Sequence, residues 1–132
     1  MGIKTIGLDI NDQQLDMAKK VGADAVFNSM TNKNYVEEIK KLTGKGCHAA
    51  AVYSASYAAY AGAVDVLRTG GLLMVIGIAS KGFEFVNTFD LTTGKYRIKA
   101  DSTSIPQRMK KAVDFTGQHR YVEGQFDWNL QN

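Results

Sequence analysis

The sequence predicts an α/β fold, a doubly wound parallel sheet flanked by helices. Three observations carry that prediction. Short apolar runs of strand length alternate with stretches whose apolar residues recur at helical spacing. The run Leu72-Leu73-Met74-Val75-Ile76 shows no polar alternation, the pattern of a parallel strand covered on both faces. Asn and Ser residues open the helical stretches and glycines close them, where capping chemistry wants each.

In chain order, Ile3-Lys4-Thr5-Ile6-Gly7-Leu8 is strand-length and ends at Asp9. Asn11 or Asp12 then caps a helix with Leu15, Ala18 and Val21 on one face, and Gly22 stands where a left-handed residue ends it. Ala25-Val26-Phe27 reads as a second strand. Asn34-Tyr35-Val36-Glu37 has capping-box spacing and opens a helix with Tyr35, Ile39 and Leu42 inward, closed near Gly44 or Gly46. Ala49-Ala50-Ala51-Val52-Tyr53 is a strand by context, because alanine is a weak strand former. Tyr60 to Leu67 reads as a helix ended by Arg68-Thr69-Gly70-Gly71, and the apolar run from Leu72 follows as the strongest strand. Tyr96-Arg97-Ile98-Lys99 suits a further strand. Ser104-Ile105-Pro106-Gln107 is another capping box, and its helix buries Met109, Ala112, Val113 and Thr116. The order β-α-β-α-β-α-β-β-α is Rossmann-like, with the carboxyl ends of the strands on one edge, where ligands bind. Residues 1–126 make this domain and 127–132 a polar tail.

Composition narrows the function classes. The 132 residues are 45% hydrophobic and 22% charged, ordinary for one globular domain. The longest apolar stretch, Leu72 to Ala79, is far short of the roughly 20 residues that span a membrane. Cys47 is the single cysteine, so an intramolecular disulfide and a cysteine-rich zinc site are both excluded, and a reduced, cytoplasmic setting is expected. A net charge of +3 does not imply a polyanionic partner. Lys95, Arg97, Lys99, Arg108, Lys110, Lys111 and Arg120 crowd one region, but exposed aromatics do not interleave them, so a solvated face is expected and nucleic acid is not.

Asp9 is the sharpest residue. A carboxylate at the end of a Rossmann strand can accept both hydroxyl hydrogens of an adenosine ribose, and its charge repels a 2′-phosphate, which favours NAD over NADP. A plain capping role is the competing explanation. Ser54-Ala55-Ser56 and Gly77-Ile78 follow two apolar strands at the same edge, where small residues let a flat ligand approach the backbone, or simply make tight turns. Cys47 and His48 are adjacent, so their side chains diverge, and His119 suits a helix C-terminus better than a catalytic base. Tyr53, Tyr57 and Tyr60 read as core packing. No catalytic arrangement can be assembled.

Several blocks together resemble the cofactor-binding half of the zinc-containing medium-chain alcohol dehydrogenases. They are Gly2-Ile3-Lys4-Thr5-Ile6-Gly7-Leu8-Asp9-Ile10-Asn11, Met17-Ala18-Lys19-Lys20-Val21-Gly22-Ala23-Asp24 and Leu67-Arg68-Thr69-Gly70-Gly71-Leu72-Leu73-Met74-Val75-Ile76-Gly77. Ile98-Lys99-Ala100-Asp101-Ser102 and Lys111-Ala112-Val113-Asp114-Phe115 fit the late part of the same family. The resemblance implies hydride transfer between NAD and a small alcohol or aldehyde in the intact enzyme. It assigns the ribose to Asp9 with Ile10 beside it, the adenosine side to Ser54 and Ala55, and the nicotinamide side to Gly77 and Ile78. The turn Ser102-Thr103-Ser104-Ile105-Pro106 resembles a family loop near the nicotinamide but lacks the basic residue many members place there. The domain that supplies the family's zinc ligands has no counterpart, nor has the first strand with its glycine turn, so a fragment inactive by itself is expected. In the order 3-2-1-4-5-6 that strand is central. Its flanking strands must then pair with each other, stay open, or recruit another chain, and marginal stability with homo-oligomerisation is expected. A noncatalytic nucleotide-binding module and a SAM-dependent methyltransferase are the alternative readings.

Overall fold

A computed structural model describes residues 2–101 and 105–118. Ten elements follow in order: β1 (Ile6–Asp9), α1 (Asp12–Lys20), β2 (Ala25–Asn28), α2 (Tyr35–Thr43), β3 (Cys47–Val52), α3 (Tyr57–Asp65), β4 (Leu67–Val75), α4 (Thr88–Thr92), β5 (Tyr96–Ala100) and α5 (Pro106–Gln118). The alternation and the parallel pairing are those expected of a Rossmann-like fold. The strands form two sheets, β1-β2 and β3-β4-β5, with every pair parallel. The chain divides into two compact units, one holding β1, α1, β2 and α5, the other holding α2 to β5.

In the first unit β1 pairs with β2 from Ile6↔Ala25 to Asp9↔Asn28. The strand expected from Ile3 begins only at Ile6, because the bonds before it come from a turn residue. The Asp24 carboxylate accepts the Thr5 N–H at 2.7 Å, and the Thr5 carbonyl accepts the Asp24 N–H at 2.9 Å. Asn11, not Asp12, caps α1, its side-chain oxygen accepting the Gln13 N–H at 2.9 Å. Leu15 is buried on β1 and β2 and Ala18 half-buried, while Val21 is exposed because the helix ends at Lys20. Gly22 has the expected positive φ, 107°. α5 carries no buried residue: Met109, Ala112, Val113 and Thr116 are exposed, against expectation, and only Phe115 is half-buried. Its periodicity was that of an amphipathic helix, which records an apolar face but not what covers it. Ser104 and His119 lie outside the described residues.

In the second unit α2 begins after Asn34, as its spacing predicts, but Asn34 makes no side-chain capping bond to the helix. Ile39 is buried and Tyr35 half-buried, whereas Leu42 is exposed in the last turn, one residue from the end. α3 starts earlier than expected and stops at Asp65, so Leu67 and Arg68-Thr69-Gly70-Gly71 lie in β4 rather than closing a helix. Backbone bonds explain the change. The Val66 carbonyl accepts the Cys47 N–H at 2.8 Å, and Gly70 donates to the Lys95 carbonyl at 2.9 Å, so neighbouring strands hold these groups. The register then slips between Cys47↔Leu67 and Ala49↔Leu72, and the intervening residues bulge.

One face of this sheet makes the core. Val52, Leu73 and Tyr96 meet Tyr60 and Ala63 of α3, with Phe83 and Phe85 packed alongside. The Tyr60 and Phe83 rings lie 4.7 Å apart. The other face is less covered than the unbroken apolar run suggests: Leu72 and Met74 are half-buried beside exposed Ala49 and Ala51. Tyr57 meets Phe85 edge-on, but Tyr53 is exposed and is no part of the core.

Among the described residues the buried Tyr96 hydroxyl has no hydrogen-bond partner. An unpaired buried hydroxyl costs about 1–3 kcal/mol of desolvation. Tyr96→Phe keeps the ring and removes that cost, so it is expected to raise stability by about 1 kcal/mol and the melting temperature by a few degrees. A thermal melt followed by circular dichroism measures it.

Candidate functional site

The expected site residues fall in two places, each at the carboxyl end of a strand. In the first unit Asp9 is the last residue of β1. Its Oδ1 accepts the Ile10 N–H at 2.7 Å and the Asn11 N–H at 2.9 Å. One carboxylate oxygen is thus committed to the turn, and Oδ2 takes no bond from it. Ile10 is exposed at the same turn. Gly7 sits beneath: a Cβ there would lie 3.3 Å from Val26 Cγ1 and 3.4 Å from Ala18 Cβ, so glycine lets α1 approach the sheet.

In the second unit the turns after β3 and β4 are brought together. Ile76 and Gly77 both donate backbone N–H groups to the Val52 carbonyl, at 3.1 and 2.9 Å. A Cβ on Gly77 would run into the Ser54 carbonyl and come within 2.7 Å of the Tyr53 oxygen, so only glycine permits this approach. Ser54 Oγ accepts the Ser56 N–H at 3.0 Å, tightening its own turn. Ser54 and Ala55 are exposed, and Ile78 is 84% exposed. A cavity of about 570 Å³ opens beside Gly77 and Ile78, lined also by Lys81, Phe83, Ala100 and Asp101. That volume is within the range of small-molecule sites.

Two residues that sequence reasoning assigned elsewhere or passed over shape these turns. Tyr60 packs in the core as expected, but its hydroxyl also donates to the Gly77 carbonyl, which ties α3 to the β4 turn. Burial pushes its hydroxyl above the ordinary value, so it stays a protonated donor. The signal was available in principle, since a buried tyrosine seeks a partner for its hydroxyl. Asn28, the last residue of β2, stands opposite Asp9 and bonds to the Ile10 carbonyl at 3.1 Å. A polar residue ending an apolar strand was its only trace in the sequence.

Among the described residues no three His, Cys, Asp or Glu side chains are grouped to hold a metal ion. Cys47 is half-buried, and burial pushes its thiol upward, away from a reactive thiolate. Among them too, no helix is long and apolar enough to cross a membrane.

Residues 1–118 match the family described as zinc-binding dehydrogenase. Among solved structures, benzyl alcohol dehydrogenase from Acinetobacter calcoaceticus superposes with a TM-score of 0.77 at 26% identity, over 90% of this chain and 34% of that one. An alcohol dehydrogenase zinc-binding domain protein from Burkholderia ambifaria gives 0.76 at 25% identity, over 90% and 33%. The D-arabinose dehydrogenase of Sulfolobus solfataricus shares the fold at 17% identity, with a TM-score of 0.76 over 90% and 36%. The chain spans about a third of the length of each of these structures. With the family matched across nearly all of its residues, and with parallel α/β units that superpose on those dehydrogenases, the chain belongs to the zinc-binding dehydrogenase family.

Proposed function

We propose that this chain is an NAD-binding domain of an alcohol dehydrogenase-type oxidoreductase. The observation that carries the reading is Asp9: an exposed carboxylate at the carboxyl end of a parallel strand, one oxygen fixed by two backbone N–H groups and the other available to ribose hydroxyls. Ile10 beside it lies against the adenosine ribose. Ser54 and Ala55 line the adenosine side, and the backbone of Gly77 and Ile78 meets the nicotinamide end at the cavity. NAD, when bound, supplies the hydride chemistry; the residues of this chain bind and orient it. The family's zinc finds no fitting ligand set among the described residues.

With no metal-ligand cluster among the described residues, the chain is expected to bind NAD(H) without oxidising alcohol. A small alcohol or aldehyde is a substrate of the intact enzyme. Self-association belongs to the same reading, because β1 and β3 each pair on one side only among the described residues. A titration of nicotinamide fluorescence tests the assignment. Saturable NADH binding that ADP-ribose reverses and S-adenosylmethionine does not is the expected result. No saturation, or displacement by S-adenosylmethionine, would overturn it.

A further inference from the structure

The Asp9 turn is held from outside by one side chain on the neighbouring strand. Asn28 uses its whole amide. Nδ2 donates to the Ile10 carbonyl at 3.1 Å and to Asp12 Oδ1 at 2.6 Å, while Oδ1 accepts the N–H groups of Met30 at 2.9 Å and Thr31 at 3.1 Å. Both donors and both acceptor sites are engaged, and the pattern fixes which end is nitrogen, because two partners can only accept and two can only donate. The Ile10 carbonyl and the Asn11 N–H belong to one peptide plane. That plane is gripped at its oxygen by Asn28 and at its nitrogen by Asp9 Oδ1. Rotating it to free the Ile10 carbonyl would also swing the Asn11 N–H away from the carboxylate. Asp9 and Asn28 face each other in the strand register, and the Asp9 carbonyl accepts the Ser29 N–H at 3.0 Å, so the two strand ends are fastened at this level.

We propose that Asn28 is a positioning residue for the nucleotide site: by fixing the Ile10–Asn11 peptide it aims the Asp9 carboxylate and thereby sets preference for an unmodified adenosine ribose. The proposal rests on the reading of Asp9 as the ribose acid. In this role Asn28 acts through the turn, by its bonds to the Ile10 carbonyl and Asp12, rather than on the nucleotide itself. Its amide also stands as a neutral donor beside Asp12, where a carboxylate would instead add like charge near Asp9 and Asp12. Asn28→Asp is therefore the sharp variant. It is isosteric and keeps the acceptors for Met30 and Thr31, but loses both donated bonds. Asp12→Asn in that background supplies an amide that can donate to residue 28 again.

The experiment uses the full chain and three probes: NADH, ADP-ribose, and ADP-ribose lacking the adenosine 2′-hydroxyl. The parent is expected to prefer the hydroxylated probe by about tenfold, the worth of one hydrogen bond to a charged group. Asp9→Ala is expected to abolish the preference; a parent without it, or an Asp9→Ala variant that keeps it, overturns the ribose reading and this proposal with it. Given that preference, Asn28→Asp should lower NADH affinity about tenfold and remove most of the discrimination, have no further effect when Asp9 is alanine, and be partly rescued by Asp12→Asn. Asn28→Ala with amide hydrogen exchange at Asn11 is the second measurement, expected to show lost protection there. Discrimination unchanged in both Asn28 variants, or a full additional loss in the Asp9→Ala background, would overturn the positioning role while leaving the ribose reading intact.

Discussion

Gly46→Ala is expected to cost the second unit about 3 kcal/mol or more, enough to leave a marginal domain largely unfolded. Gly46 has φ 101°, and a Cβ there would stand 2.7 Å from the Arg68 nitrogen, 2.8 Å from the Leu67 carbonyl carbon and 2.9 Å from the Val66 oxygen. All three neighbours are backbone, and the same stretch supplies the carbonyl that accepts the Cys47 N–H. The clash cannot be relieved by a side-chain rotation; it must shift the start of β4 against β3. Left-handed backbone costs an ordinary residue about 1–2 kcal/mol, and forced overpacking about 1–3 more. Gly44→Ala separates the two effects. Gly44 has φ 78° but nothing within 4 Å of its Cβ position, so only the dihedral cost applies, about 1 kcal/mol. Urea titrations of the two variants against the parent measure the difference. Equal losses would show that the approach of β3 to β4 is looser than the structure has it.

The same glycines show what the sequence could and could not convey. Gly22 and Gly44 were legible as helix-closing residues because capping is local: spacing to the preceding apolar face is enough to place them, whereas Gly46, the other residue that spacing offered for closing α2, directly precedes β3 instead. Gly70 and Gly71 looked alike in the sequence, yet they belong to a bulge inside β4, and what decides that is a bond from Gly70 to Lys95, a residue far along the chain. The apolar face of α5 was legible and its exposure was not, for the same reason: periodicity is written in one segment, burial in two. At the site, Asp9 and Gly77 could be singled out because each ends a strand run. The Ser54 backbone against which Gly77 packs, the Tyr60 hydroxyl on its carbonyl and the Asn28 amide behind Asp9 are meetings of distant residues, and chemical type alone did not announce them.

Asp9→Asn is expected to change the choice of nucleotide more than the stability of the turn. An asparagine keeps a side-chain oxygen for the Ile10 and Asn11 N–H groups, so the bonds at 2.7 and 2.9 Å can persist, while the charge that meets the ribose is gone. Hydrogen bonds to a charged group are worth about 1.5–3 kcal/mol, against about 1 for a neutral pair, so NADH affinity should fall roughly tenfold. NADPH should move the other way relative to NADH, because the carboxylate no longer repels a 2′-phosphate. Asp9→Ala removes acceptor and charge together; it should lose about 10- to 100-fold in NADH affinity and also loosen the turn that the carboxylate anchors. The pair thus distinguishes a ligand-binding acid from a cap. A cap alone predicts that Asn preserves NADH binding and Ala lowers the melting temperature, with the ratio of NADH to NADPH affinity unmoved in both. A ribose acid predicts that the ratio shifts in Asn at nearly unchanged melting temperature, and fluorescence titrations with the two nucleotides read that ratio directly.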